Sequence, residues 1–148
     1  MAKAKKKGTI AWYKQESVEA FMRFWRGKPC ARCKSTYMTV GHHLIGRGAS
    51  PHHIVTAKNM IVLCPTHHTF SRDFAPHSMN PFGIENFHNW IKKTRPETWA
   101  WMEYHQHDDC AKKGKIPWID IYEAHVEYDE KKKPVWVGDI ELDLEQLK

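Results

Sequence analysis

Apolar residues return at helical spacing between positions 17 and 25, where Val18, Phe21, Met22 and Trp25 fall on one side of an amphipathic helix. Ser17 suits the N-cap of that helix and Gly27 its C-terminal stop. The period then changes. Thr36 to Leu44 holds β-branched and aromatic residues and predicts a strand, and Met60 to Leu63 predicts a second, short and wholly apolar. Gly46, Gly48, Ser50 and Pro51 punctuate the stretch between them, so the strands are expected to pair as a hairpin with a long connection. Pro65 fits the first turn of a helix that Thr66 to Phe74 can continue.

Helical spacing resumes after Asn80 and Pro81, an N-cap and N1 pair, with Ile84, Phe87 and Ile91 on one side through Lys93. Arg95 and Pro96 open another helix, with Trp99, Met102 and Tyr104 expected inward and a stop near Gly114. Residues 117–133 fit two patterns. Trp118, Ile121, Tyr122, His125 and Val126 keep helical spacing, whereas the alternation of Trp118, Asp120 and Tyr122 with Ile119 and Ile121 hints at a strand; helix is preferred. Beyond Pro134 an acidic tail with alternating apolar residues reads as an edge strand or a segment that reaches for a partner.

Length limits these elements to one domain, since 148 residues bury one modest core. The expected organisation is a basic flexible tail over 1–9, a single domain over 10–133 and the acidic segment over 134–148. Within the domain, a core spans 28–75 and a helical extension 80–133. Seven Trp, six Phe and five Tyr are too aromatic for a disordered chain. Trp90, Trp99, Trp101, Trp118 and Trp136 are expected to pack in the core rather than stack on bases. A net charge of +6 favours a polyanionic partner such as nucleic acid. No apolar run approaches the roughly 18 residues of a membrane span, and MAKAKKKGTI lacks the apolar stretch of a signal peptide, so no membrane partner and a cytoplasmic location are expected.

The chemistry concentrates between Cys30 and His68. Cys30 and Cys33, then Cys64 and His67, form two pairs of equal spacing, and three thiolates with one imidazole complete a closed tetrahedral shell for a structural Zn2+. Cys110 stands alone and reads as a small buried hydrophobe. His42 and His43 are adjacent on the first strand and point to opposite sides of it. His68 lies about 100 degrees round the following helix from His67 and can turn away from the zinc. His52 and His53, in the loop, are assigned to solvation or loop hydrogen bonding.

The order Cys30, Cys33, His42, His43, Asn59, Cys64, His67, His68 resembles the HNH endonuclease family in its zinc-stapled subgroup. The resemblance implies an α+β fold with a ββα-metal core, a structural zinc and additional helices around it. It implies hydrolysis of DNA phosphodiester bonds, as nicks or double-strand cuts, to 5′ phosphate and 3′ hydroxyl products. His43 would be the general base, Asn59 the brace of the hairpin loop and of His43, and His42 and His68 the ligands of a catalytic divalent ion, Mg2+, Mn2+ or another. Some members carry a further metal-binding histidine one turn on, where this chain has Arg72; water, substrate phosphate, Asp73 or His77 are candidates to complete the shell. Arg47 and Arg72 are candidate phosphate contacts. Small chains of this type are frequent in phages and prophages, which implies DNA and phage replication, recombination or packaging proteins as partners. The competing expectation is a zinc-stabilised DNA-binding module without catalysis.

Overall fold

The first helix, α1 (Ile10–Trp25), starts well before Ser17, which lies buried inside it. Thr9 is the cap, its Oγ1 accepting from the Trp12 N–H at 3.2 Å. No breaker separates Ile10 from Ser17, so the apolar stripe extends back to Tyr13, which packs with Val18, Phe21 and Met22. Gly27 ends the helix as expected, in the left-handed conformation at φ 78°. The computed structural model describes residues 4–49, 51–107 and 115–125, the side chains of 124 and 125 excepted. Cys110, Gly114, Trp136, residues 126–133 and the acidic segment 134–148 lie outside the described residues.

Strand β1 is shorter than its β-branched stretch suggests, spanning Val40–His43 only. Lys34 and Met38 take positive φ, 67° and 48°, so the chain is still turning where a strand from Thr36 was expected. β2 (Met60–Leu63) matches its apolar run and pairs antiparallel with β1, Val40 opposite Leu63 and His43 opposite Met60. All four β2 residues are buried because helices cover both faces of this two-stranded sheet. α1 and α4 (Trp118–His125) close one face through Phe21, Met60, Trp118 and Ile121. The helical preference for the ambiguous segment thus holds over its described part. Gly41 permits the close approach of α1, since a Cβ there would lie 3.1 Å from Trp25 Cβ. α2 (Pro81–Thr94) closes the other face, with Phe87 and Ile91 against Ile61, Leu63 and Phe74. Its Asn80 cap accepts from the Phe82 N–H at 3.1 Å.

Three further expectations fail. The helix over Thr66–Phe74 is a single π-helical turn, Thr66–Phe70, closed by the Ser71 N–H on the Thr66 carbonyl at 2.7 Å. Tertiary burial overrides its continuation: the chain extends beyond Ser71 so that Phe74 and Ala75 enter the core under α2. α3 (Pro96–His105) ends at His105 rather than near Gly114. Its Tyr104 is exposed, not inward, because Met102 takes the buried position and a residue two further along lies about 200 degrees round the helix. Among the described residues no helix is long and apolar enough to cross a membrane. The outcome is a small α+β fold in which a hairpin is held between helical layers.

Candidate metal centres and the cleft between them

The turn before β1 and the turn after β2 meet at four side chains. Cys30 is fixed by two backbone bonds, its N–H to the Ser35 carbonyl (2.8 Å) and its carbonyl from the Lys34 N–H (2.9 Å), while the Ala31 N–H binds the Val62 carbonyl on β2 (2.8 Å). This places the Cys30 and Cys33 thiols beside Cys64 and His67, with the ligand atoms of all four within 4.8 Å of one another. Cys33 Sγ lies 3.7 Å from Cys64 Sγ, and His67 Nδ1 lies 3.3 Å from Cys64 Sγ and 3.8 Å from Cys30 Sγ. With Zn–S about 2.3 Å and Zn–N about 2.05 Å, a tetrahedral shell has S···S edges of about 3.8 Å and S···N edges of about 3.5 Å. The donor set therefore fits a zinc ion. The cysteines are free thiols, and their separation is far beyond the roughly 2.05 Å of a disulfide.

Burial works to raise the Cys30 thiol, but backbone hydrogen bonds from Cys33, Cys64 and Arg32 and the His67 ring outweigh it and lower the pKa to about 6. Cys64 is pushed up, by burial and by its two neighbouring sulfurs. One thiolate among three close sulfurs is the arrangement a cation relieves. Arg32 lies over Phe74 and Trp90, 4.6 and 5.6 Å from their ring centroids, and pins the Cys30–Cys33 turn to the core.

A second group, His42, His68 and His77, also brings its ligand nitrogens within 4.8 Å of one another. The three rings stand 4.9 to 5.2 Å apart by centroid. His42 comes from the α2-facing side of β1, its ring 5.9 Å from Phe87. His68 sits in the π-helical turn, its N–H on the Cys64 carbonyl at 2.9 Å. His77 arrives from the loop beyond, where its N–H binds the His68 carbonyl at 3.2 Å. Ser78 Oγ donates to the Arg72 carbonyl (3.1 Å) and Asn86 Nδ2 to the Asp73 carbonyl (2.8 Å), so this loop is fastened to α2. Gly83 lets it sit close, since a Cβ there would collide with the Arg72 carbonyl and Ser78. Of the candidates named for the place that Arg72 leaves unfilled, His77 is the one grouped with His42 and His68, while Arg72 is exposed and does not line the cleft described below.

Burial, with the neighbouring His68 and His77 charges next, lowers the His42 pKa to about 3, and burial lowers His68 as well, followed by the charge of His77. Both rings are neutral at pH 7, the form that offers a lone pair to a metal. Their shift fixes a pH dependence of stability. Below pH 6.5 the unfolded chain takes up protons at these positions and the metal-free native chain does not, until pH falls to about 3 at His42. Metal-free protein is therefore expected to lose stability, on the order of a few kcal/mol, as pH falls from about 6.5 towards 3. Urea midpoints at stepped pH check this; a midpoint flat across that window would refute it.

His43 points to the other face of β1, its ring 6.4 Å from Phe21. Its Nε2 lies 2.7 Å from the Ile54 carbonyl. A carbonyl only accepts, so Nε2 carries the proton and the neutral ring keeps its lone pair on Nδ1. Burial lowers the His43 pKa, the Ile54 bond opposes this, and the nearby Arg47 charge lowers it further. The loop that presents Ile54 is braced by Asn59, which is fully buried. Asn59 Oδ1 accepts from the Ile45 N–H (2.7 Å), and Nδ2 donates to the Ile45 and His53 carbonyls (3.0 Å each). His53 is buried, with Nδ1 3.4 Å from Thr56 Oγ1, which fits the loop-bonding expectation for it.

His42, His43, His68, His77 and the exposed Arg47 all line one cleft of about 280 Å³. Its two most informative features carried little sequence signal. The Ile54 carbonyl is backbone and has none. His77 had one, because Pro76 breaks any helix through Ala75 and forces a change of direction just before it. Comparison with known proteins finds no match: no family model, no curated protein and no solved structure corresponds to this chain.

Proposed function

We propose that the chain is a metal-dependent endonuclease of the HNH type, hydrolysing DNA phosphodiester bonds. One observation carries the reading: a three-imidazole group and a histidine whose Nε2 is tied to a backbone carbonyl open onto the same cleft. A zinc-stabilised DNA-binding module would need the Cys30, Cys33, Cys64 and His67 group alone. It gives no reason to gather His42, His68 and His77 beside a half-buried His43.

In this reading His43 Nδ1 takes a proton from the attacking water, while the Ile54 carbonyl holds Nε2–H and so fixes both ring angle and tautomer. Asn59 acts through that loop as a positioning residue. His42, His68 and His77 would hold a divalent ion, Mg2+ or Mn2+ among the candidates, which supplies Lewis-acid stabilisation of charge on the phosphate and the departing 3′ oxygen. Arg47, which lines the cleft, would contact a phosphate, and Arg72, outside the cleft, could reach one only further along the strand. The products are a 5′ phosphate and a 3′ hydroxyl, and the family resemblance points to replication, recombination or packaging of phage DNA as the setting.

The test is supercoiled plasmid incubated with zinc-loaded protein and Mg2+, Mn2+ or another divalent ion, beside a His77→Ala variant. Wild type is expected to nick or linearise the plasmid. The variant is expected to cut at least about tenfold more slowly at limiting ion and to recover as the ion is raised, as befits a lost ligand. Wild-type protein that leaves every plasmid supercoiled, with its zinc in place, would sink the nuclease reading. A variant indistinguishable from wild type at every ion concentration would remove His77 from the ion site.

A further inference from the structure

The stretch that runs from His68 through His77 into the first turn of α2 carries three exposed apolar side chains. The rungs from His77 N–H to the His68 carbonyl and from Ser78 Oγ to the Arg72 carbonyl lay residues 68–72 alongside 77–78, and Gly83 packs against Arg72. From this double layer Phe70, Met79 and Phe82 project into solvent, 75%, 100% and 69% exposed. Two follow closely on candidate ligands, Phe70 on His68 and Met79 on His77, and Phe82 stands on the first turn of α2. Large apolar side chains scattered singly over a surface need no explanation, but three along the short stretch that runs from the cleft residue His68 through His77 into α2 do.

We propose that this rim stacks unpaired bases, so that the preferred substrate is DNA that is single-stranded or locally unpaired beside the cut phosphate. The inference rests on the nuclease reading and names the substrate form for the same cleft. Charge supports a nucleic acid over an apolar protein partner: Arg47 lines the cleft, Arg72 follows Phe70 by two residues, both arginines are exposed, and the chain carries +6. Within a paired duplex the faces of the bases are already stacked on one another and cannot receive a phenyl ring. A single strand presents them, and base stacking on aromatic side chains with phosphate contact to arginine is the general grip on such strands.

The experiment uses the full zinc-loaded chain with His43→Ala, which keeps the rim and removes the proposed base. Binding is read by fluorescence anisotropy on a labelled single-stranded oligonucleotide and on the same sequence as a closed duplex, with and without Phe70→Ala and Phe82→Ala. The single strand is expected to bind more tightly than the duplex, and each rim substitution to weaken it by about tenfold while leaving the duplex unaffected. Tyr104→Ala, which removes an equally exposed ring on α3, is expected to change neither. Equal or tighter binding of the duplex overturns the inference. So does a rim variant that binds both forms as before but shifts the oligomeric mass, which would make the rim a contact between protein copies. A cleavage arm compares plasmid carrying an unpaired bubble with fully paired plasmid. No cutting of either plasmid, with single-strand binding intact, counts against the nuclease reading alone; faster cutting of the paired plasmid counts against this inference alone.

Discussion

Replacing Cys64 by Ser is expected to give a protein that holds no zinc and shows no cooperative thermal transition near that of wild type. Cys64 is central to the four-ligand group, lying 3.7 Å from the Cys33 sulfur and 3.3 Å from His67 Nδ1, and it is buried. A structural zinc contributes on the order of 10 kcal/mol of apparent binding free energy at neutral pH, comparable to the whole net stability of a small domain. Besides the four ligand side chains, the Cys30–Cys33 turn is tied to β2 and its surroundings by one backbone bond from Ala31 to Val62, by packing of Cys30 and Ala31 in the core that holds Ile61 and Leu63, and by the Arg32 stack on Phe74 and Trp90. Cys33→Ser, at the exposed corner of the group, is expected to lower the transition less, because water can take its place in the shell. Zinc content by atomic absorption and thermal unfolding by circular dichroism decide the matter. A Cys64→Ser protein that is zinc-free and melts with wild type would show that the group is not structural.

The same loss would reach the histidine cleft, which explains why the two groups are neighbours in sequence. His68 follows His67 directly, and its N–H binds the Cys64 carbonyl at 2.9 Å. Through the His77 N–H on the His68 carbonyl, the third imidazole depends on the same turn. Zinc release by a chelator should therefore abolish the proposed activity of the cleft even where Mg2+ or Mn2+ is supplied in excess.

How far the sequence disclosed this arrangement depends on whether a position was fixed by local spacing or by distant packing. The Cys30–Cys33 and Cys64–His67 pairs were legible because their spacing is itself the requirement of metal geometry, and the structure gathers all four. β2 was legible from its unbroken apolar run, and α2 from Asn80, Pro81 and the spacing of Phe87 and Ile91. The start of α1 was missed because Thr9 and Ser17 are both good caps and nothing local ranks them. The helix after β2 was misjudged because burial of Phe74 and Ala75 under α2, a contact with residues well downstream, decides where that turn stops. That one tertiary preference also swings His77 back to His42 and His68, so the misjudged element and the incomplete ligand set at Arg72 have a single cause.

On the proposed nuclease reading, His43→Ala is expected to slow DNA cleavage by about 10² to 10⁴-fold, the usual worth of a positioned general base, while zinc content and melting temperature stay close to wild type. The removed ring is partly buried against Phe21 and is bonded to the Ile54 carbonyl at the edge of an open cleft. The pH profile gives the sharper reading. His43 must be neutral to accept a proton, so the wild-type rate should rise with pH up to its folded pKa and level off above it. Burial, with Arg47 beside it, holds that pKa below 6.5, so the plateau should begin below the ordinary imidazole value. The residual rate of His43→Ala should lack this limb. Asn59→Ala separates base from brace: it strips the Ile45 N–H and the Ile45 and His53 carbonyls of their buried partner, at about 1–3 kcal/mol for each group left unmade. It should therefore lower the melting temperature and the rate together, yet keep the rising limb, because His43 is still present. A wild-type rate that falls as pH rises through this window would make His43 an acid rather than the base, and an Asn59→Ala protein without the limb would mean that Asn59, not His43 alone, governs the titration.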